Sequence, residues 1–177
     1  ALKSNEPKFK KKNFKLENVF ASPMELAMLI PGFGKKHHRY MKKVTQMASI
    51  EVAIRDQNPG TINVNSKGKA IIKKSMDGRD KKSRKEGLKV VRQIFESTGA
   101  KKIIYGDIGF GLHLMGGCSL GGDAKTAAVS PDFSLYGSNN IYCADSSIFP
   151  DAPGINPSLT IMAISRLASQ KIIREVS

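Results

Sequence analysis

The chain has 177 residues, 40% of them hydrophobic and 25% charged, a composition suited to a globular domain with its own core and room for a small second lobe. Lys and Arg outnumber Asp and Glu by 29 to 15, so the net charge is +14. No apolar run approaches the roughly 20 residues of a membrane-spanning helix. There is no Trp, aromatics are only 7%, and no stacking side chains interleave with the lysines, so the charge reads as solvated surface and argues against nucleic acid. A basic module for a polyanion or an anionic membrane surface is the rival reading. The two cysteines, Cys118 and Cys143, have no metal-ligand spacing and read as free, buried, small apolar residues.

Residues 1–20 are polar and basic and are expected to be extended. Ser22, Pro23 and Glu25 spell a capping box with proline at the first helical position, which predicts a helix to Ile30, stopped by Pro31 and Gly32. Lys35 to Thr45 continues as a second helical piece. Met47–Arg55, Thr61–Val64 and Lys69–Lys73 are β-rich and separated by turns ending at Gly60 and Gly68, a pattern that predicts a three-strand antiparallel meander. From Arg79 the period becomes helical, with Leu88, Val91, Ile94, Phe95 and Thr98 on one face and Gly99 as the stop. Lys101 to Tyr105 is the next predicted strand.

Beyond Gly106 the chain is rich in glycine and small residues as far as Val129. Turns at Ser130–Asp132 and Tyr136–Ser138 follow, then a buried strand at Asn140–Ala144. A Pro/Gly loop ends at Asn156 and Pro157, the predicted N-cap and first position of the last helix. Leu159, Met162, Ala163, Ile164 and Leu167 form that helix's apolar surface. Strand, loop and helix N-terminus in this order build anion-binding sites in α/β proteins. His113 lies in the glycine-rich segment and can exchange a proton near neutral pH; taken by itself, a lone histidine reads as a hydrogen-bonded structural residue. His37 and His38 sit among lysines with no cysteine or carboxylate at ligand spacing and read as surface, not metal ligands.

Three motifs follow one another in order: HLMGGCSLGG at 113–122, ADSSIFP at 144–150 and GINPSLTI at 154–161. Together they resemble the C-terminal signature of the GMC (glucose–methanol–choline) oxidoreductases, FAD-dependent alcohol oxidases and dehydrogenases. The HxxGGCxLG form is most similar to the cholesterol-oxidase and long-chain or polyol dehydrogenase branches. Ile54, Arg55, Asp56, Gly60, Gly99 and Ala100 fit the same pattern more loosely. The family also carries a strand–GxGxxG–helix unit, which these 177 residues lack; the nearest approach, at Gly109 to Leu114, misses the third glycine. The chain therefore reads as the C-terminal part of a flavoenzyme whose N-terminal FAD-binding portion lies elsewhere, and it should be inactive alone.

The expected fold is α+β. The resemblance implies a substrate-binding lobe over residues 1–138, an antiparallel sheet backed by helices, and a strand–loop–helix unit over residues 139–177 that belongs to the FAD domain. It implies hydride transfer from a CH–OH group of an alcohol to FAD, with electrons passing to oxygen or to an acceptor protein. It makes His113 the base and Asn156 the donor that orients the substrate oxygen. Around the flavin it implies the backbone of Asp145 and Ser146 near the ribityl–phosphate region and the helix start at Pro157, Ser158 and Leu159 near the ring. Pro157 has no N–H, so Ser158 and Leu159 would supply the donors.

Overall fold

The computed structural model describes residues 7–106, 111 and 113–176. Its backbone divides into two compact units, residues 1–59 with 74–110, and residues 60–73 with 111–177.

The first unit is built on a two-stranded ribbon. β1 (Phe14–Asn18) pairs antiparallel with β2 (Ile50–Ile54), with Leu16 opposite Val52. α1 (Pro7–Lys11) precedes the ribbon, and the Phe9 and Phe14 rings stack at 5.0 Å. α2 (Pro23–Leu29) and α3 (Gly34–Met41) fill the connection between the strands. α4 (Gly78–Ser97) lies across the ribbon, burying Val91 against Phe14 and Leu16, with Val52, Val90 and Phe95 packed around them.

Capping chemistry sets both helix starts. In α2 the Glu25 N–H donates to Ser22 Oγ at 3.3 Å, and the Ser22 N–H donates to Glu25 Oε2 at 2.7 Å, the predicted box. In α4 Asp77 and Asp80 exchange the equivalent bonds at 2.9 and 3.3 Å. Asp80 is 2% exposed and also accepts the Gln57 N–H at 3.0 Å, pinning the loop after β2 to the start of α4.

Two expectations fail here. β2 pairs with β1 instead of opening a meander, and residues 7–11 form a short helix where extended chain was expected, while the extended residues 14–18 are a paired strand. Charged residues hid the strand: Lys15 and Glu17 form a largely buried ion pair at 3.1 Å along β1, and their charge masks the alternation of Phe14 and Leu16. Lys101–Tyr105 is irregular and pairs with neither of the two described sheets. Lys102 instead sits 4.9 Å over the Tyr40 ring.

The second unit contains the hairpin β3 (Thr61–Val64) and β4 (Ala70–Lys73), with Ile62 opposite Ile72. Asn65 Oδ1 accepts the Lys67 and Lys69 N–H groups and shapes its turn, where Gly68 takes φ +73°. The core of this unit is Val129, Phe133, Ile148, Phe149 and Ala168. It forms between irregular chain and α5 (Ser158–Val176).

Asn140–Ala144 is not a buried strand. The turns on either side leave a single antiparallel bridge, Ser134 to Tyr142, and Ile141 is 53% exposed. The inner face of α5 also differs. Ile161, Ile164, Ala168 and Ile172 pack inward at spacings of three and four, while Leu159, Met162 and Leu167 face outward. Both stripes are apolar, so periodicity alone does not choose between them. The α+β class stands, as two small antiparallel sheets combined with helices.

Candidate active site

The site is built from the second unit's irregular chain. Gly116 and Gly117 have φ of +84° and +105°, a region open to glycine at no steric cost, which explains the GG pair after His113. The turn lets the chain run beside residues 146–148. Gly116, Cys118 and Leu120 donate their N–H groups to the carbonyls of Ser146, Ser147 and Ile148 at 3.1, 3.0 and 3.0 Å. The Ser146 hydroxyl adds a bond to the Leu114 carbonyl at 3.0 Å, one residue from His113. His113 itself is exposed.

The opposite wall is α5. Its Ile161 N–H donates to the Pro157 carbonyl at 2.9 Å, so Pro157 occupies the cap position and helical residues begin at Ser158. Asn156 thus lies one residue before the cap, not at it. Pro157 is buried, Asn156 half-buried, and Ser158 and Leu159 are exposed at the helix start. The Ser165 hydroxyl donates to the Ala144 carbonyl at 2.5 Å, joining α5 to the chain entering the 145–148 segment. These bonds assemble the His113 segment, residues 144–149 and α5. They tie the backbones together rather than the His113 and Asn156 side chains.

Asp145 has a structural duty that the sequence reading missed. Its Oδ1 accepts the Ser147 N–H at 2.8 Å and the Ser147 hydroxyl at 2.5 Å, capping the 3-10 turn at Ser146–Ile148. Those two bonds, the hydroxyl first, hold its carboxyl below the ordinary carboxylate range. One of its two carboxylate oxygens is thereby committed to the turn. Cys143 Sγ meets Ser147 Oγ at 2.8 Å. Burial first, and then the neighbouring Cys143, push the Cys118 thiol up. Both cysteines are free and half-buried, against the expectation of full burial. The His37 ring is engaged with the Ala27 carbonyl at 2.8 Å. Gly109, Phe110 and Leu112, part of the weak glycine motif, lie outside the described residues.

Serine 165 could not have been singled out beforehand, since nothing in the local pattern distinguishes it from Ser158 or Ser169. The glycine pair could, because two adjacent glycines after a histidine already signal unusual backbone.

The C-terminal family model of the GMC oxidoreductases matches residues 56–165, which include every segment of this assembly up to Ser165. A GMC-type oxidoreductase of Mycobacterium tuberculosis is 22% identical over 91% of the chain and 29% of its own length. A long-chain-alcohol oxidase of Arabidopsis thaliana is 26% identical over 71% of the chain and 21% of its own length. The gluconate 2-dehydrogenase flavoprotein of Pantoea cypripedii is 29% identical over 78% of the chain and 24% of its own length. Among solved structures, a formate oxidase of Aspergillus oryzae RIB40, determined to follow the effect of a mutation on FAD modification, superposes with a TM-score of 0.59 at 15% identity, over 92% of the chain and 32% of its own. The chain spans less than a third of the length of each of these proteins. The matched span covers well over half of the 177 residues and carries the glycine turn, the 144–150 segment and the start of α5 in one assembly; the chain belongs to the GMC oxidoreductase family, as its C-terminal region.

Proposed function

We propose that this chain is the C-terminal part of an FAD-dependent oxidoreductase that oxidises a CH–OH group, and that an N-terminal portion of the same enzyme holds the nucleotide end of the cofactor. A long-chain-alcohol oxidase and a gluconate 2-dehydrogenase share that donor group, which supports the class without selecting a substrate. Residues 1–138 would serve the substrate-binding lobe and residues 139–177 the flavin domain. Electrons would leave to oxygen or to an acceptor protein.

FAD, when bound, supplies the hydride acceptor. His113 takes the hydroxyl proton of the alcohol as general base, exposed at the end of a loop fixed by backbone bonds. Asn156 donates to the substrate oxygen through its side-chain amide, without competing for that proton. The N–H groups of Ser158 and Leu159 open α5, where about half a positive charge opposes negative charge on the cofactor ring. The donor set fits an anionic, ring-bearing cofactor: a 19-residue helix ends at this point with its first N–H groups unused by the helix itself. The backbone of Asp145 and Ser146 would face its ribityl–phosphate part. The observation that carries the reading is the ladder from Gly116, Cys118 and Leu120 to residues 146–148, which ties the base-bearing loop to the helix-leading segment.

The test uses the intact enzyme. His113→Ala should slow flavin reduction by alcohol about 10²–10⁴-fold in stopped-flow absorbance, the range of a lost general base, with flavin content near normal. A variant that reduces its flavin at the wild-type rate would sink the assignment.

A further inference from the structure

The first unit carries a surface that the chemistry above does not use. Phe33 is 96% exposed and Phe20 94%; Met24 and Met28, one helical turn apart on α2, are 74% and 67% exposed. Met28 and Phe33 line an apolar cleft at the α2–α3 corner together with Ala27, His37 and Met41. One side-chain bond spans the corner. The His37 ring bonds to the Ala27 carbonyl, and Gly32 and Gly34 take φ of +101° and +58° on either side of Phe33. Phe33 also occupies the N-cap of α3, where Ser, Thr, Asp or Asn would bond the helix start and where no side-chain cap is made.

Around this tip the charge has one sign. Residues 26–50 contain Lys35, Lys36, Arg39, Lys42 and Lys43 and no Asp or Glu. Among the described residues none of these five pairs with a carboxylate. Glu25, the acid nearest Met28 in sequence, is turned back onto the Ser22 N–H. An apolar tip ringed by unpaired cations matches the two layers of an anionic bilayer surface: apolar side chains at the headgroup–acyl boundary, ammonium and guanidinium groups among the phosphates. A soluble polyanion would satisfy the cations alone and leave Phe33 and Met28 in water.

We infer that the α2–α3 corner docks on an anionic lipid surface, with Phe33 and Met28 inserted and Lys35, Lys36 and Arg39 at the headgroups. The inference is independent of the flavin chemistry.

In the intact enzyme Phe33→Trp adds a reporter at the tip, read as the difference from the parent enzyme, since these 177 residues contribute no Trp of their own. Its emission should shift to the blue on adding phosphatidylcholine–phosphatidylserine vesicles and stay unchanged with phosphatidylcholine alone. In co-sedimentation, the Lys35→Gln, Lys36→Gln, Arg39→Gln triple variant should lose roughly a hundredfold in partitioning, at about fivefold per cation. The Phe33→Ser, Met28→Ser variant should lose more than tenfold, yet bind heparin as the parent chain does. Because all these side chains are exposed, far-UV circular dichroism should not change. No binding to the anionic vesicles, an unshifted emission in the bound state, or vesicle binding untouched by the serine substitutions would each overturn the proposal. The last would mark the surface as a polyanion site.

Discussion

Gly87 of α4 approaches Val52 of β2 so closely that a Cβ at Gly87 would stand 2.3 Å from Val52 Cγ1. The next nearest atom is Phe14 Cδ2, at 3.3 Å. This contact decides how tightly the long helix seats on the ribbon. Two effects oppose each other in Gly87→Ala. Helix propensity favours alanine by about 1 kcal/mol, whereas overpacking costs about 1–3 kcal/mol. Val52 is β-branched and stiff at χ1, so it yields poorly. The expected result is a net loss of up to about 2 kcal/mol by urea denaturation. Gly78, at the start of the same helix with nothing within 4 Å of its added Cβ, is the control, and Gly78→Ala should show no loss.

Asp80→Ala should be the more damaging change in the same unit. It removes the acceptor for the Gln57 and Asp77 N–H groups at a buried position. Charge-assisted bonds of this kind contribute about 1.5–3 kcal/mol each, with partial overlap. A loss of about 2–4 kcal/mol is expected, and Asp80→Asn, which keeps one acceptor oxygen, should recover part of it.

Asp145 predicts an acid-sensitive second unit. Its carboxyl is held below the ordinary range by the Ser147 hydroxyl and N–H, so the ionised form is favoured by folding. A depressed folded pKa contributes stability that is present above the unfolded value, about 3.9, and fades as pH falls through the folded one. The stability difference between the parent chain and Asp145→Asn should be constant near neutral pH and should shrink below about pH 4. A difference unchanged down to pH 2 would remove Asp145 as the cause.

For Cys118, burial and the adjacent Cys143 raise the thiol pKa and so deplete the reactive thiolate. Alkylation by iodoacetamide at neutral pH should be slower at Cys118 in the folded chain than in the urea-unfolded chain. Peptide mapping by mass spectrometry reads the two rates directly, and equal rates would contradict the packing described.

Local chemistry was legible in the sequence; long-range pairing was not. The capping box of α2 is written within four residues, Ser22 to Glu25, and it forms as read. β1 has its partner more than thirty residues away, and its apolar positions Phe14 and Leu16 are diluted by lysine, so only the folded chain reveals it. Asn140–Ala144 has strand-like composition, but composition does not supply a neighbouring edge, and one bridge is all that forms. In α5 two apolar stripes compete, and packing against Val129, Phe133 and Phe149 selects Ile161, Ile164 and Ala168. At the candidate site the glycine turn could be read from its letters. The ladder it enables, and the Ser165 bond to Ala144, depend on backbones brought together from distant positions.

The β3–β4 hairpin groups with residues 111–177 although residues 74–110 of the other unit follow it in the chain. Synthesis runs from the N-terminus, so the hairpin leaves the ribosome well before the segment it belongs with. At about 5–20 residues per second, the first unit can close several seconds before α5 exists. Ile62, Val64 and Ile72 are 64%, 70% and 71% exposed even in the finished structure, so the hairpin presents an apolar, open-edged face during that interval and after it. A short surface hairpin, and not only the cores, therefore stands open to unwanted strand pairing from synthesis onward.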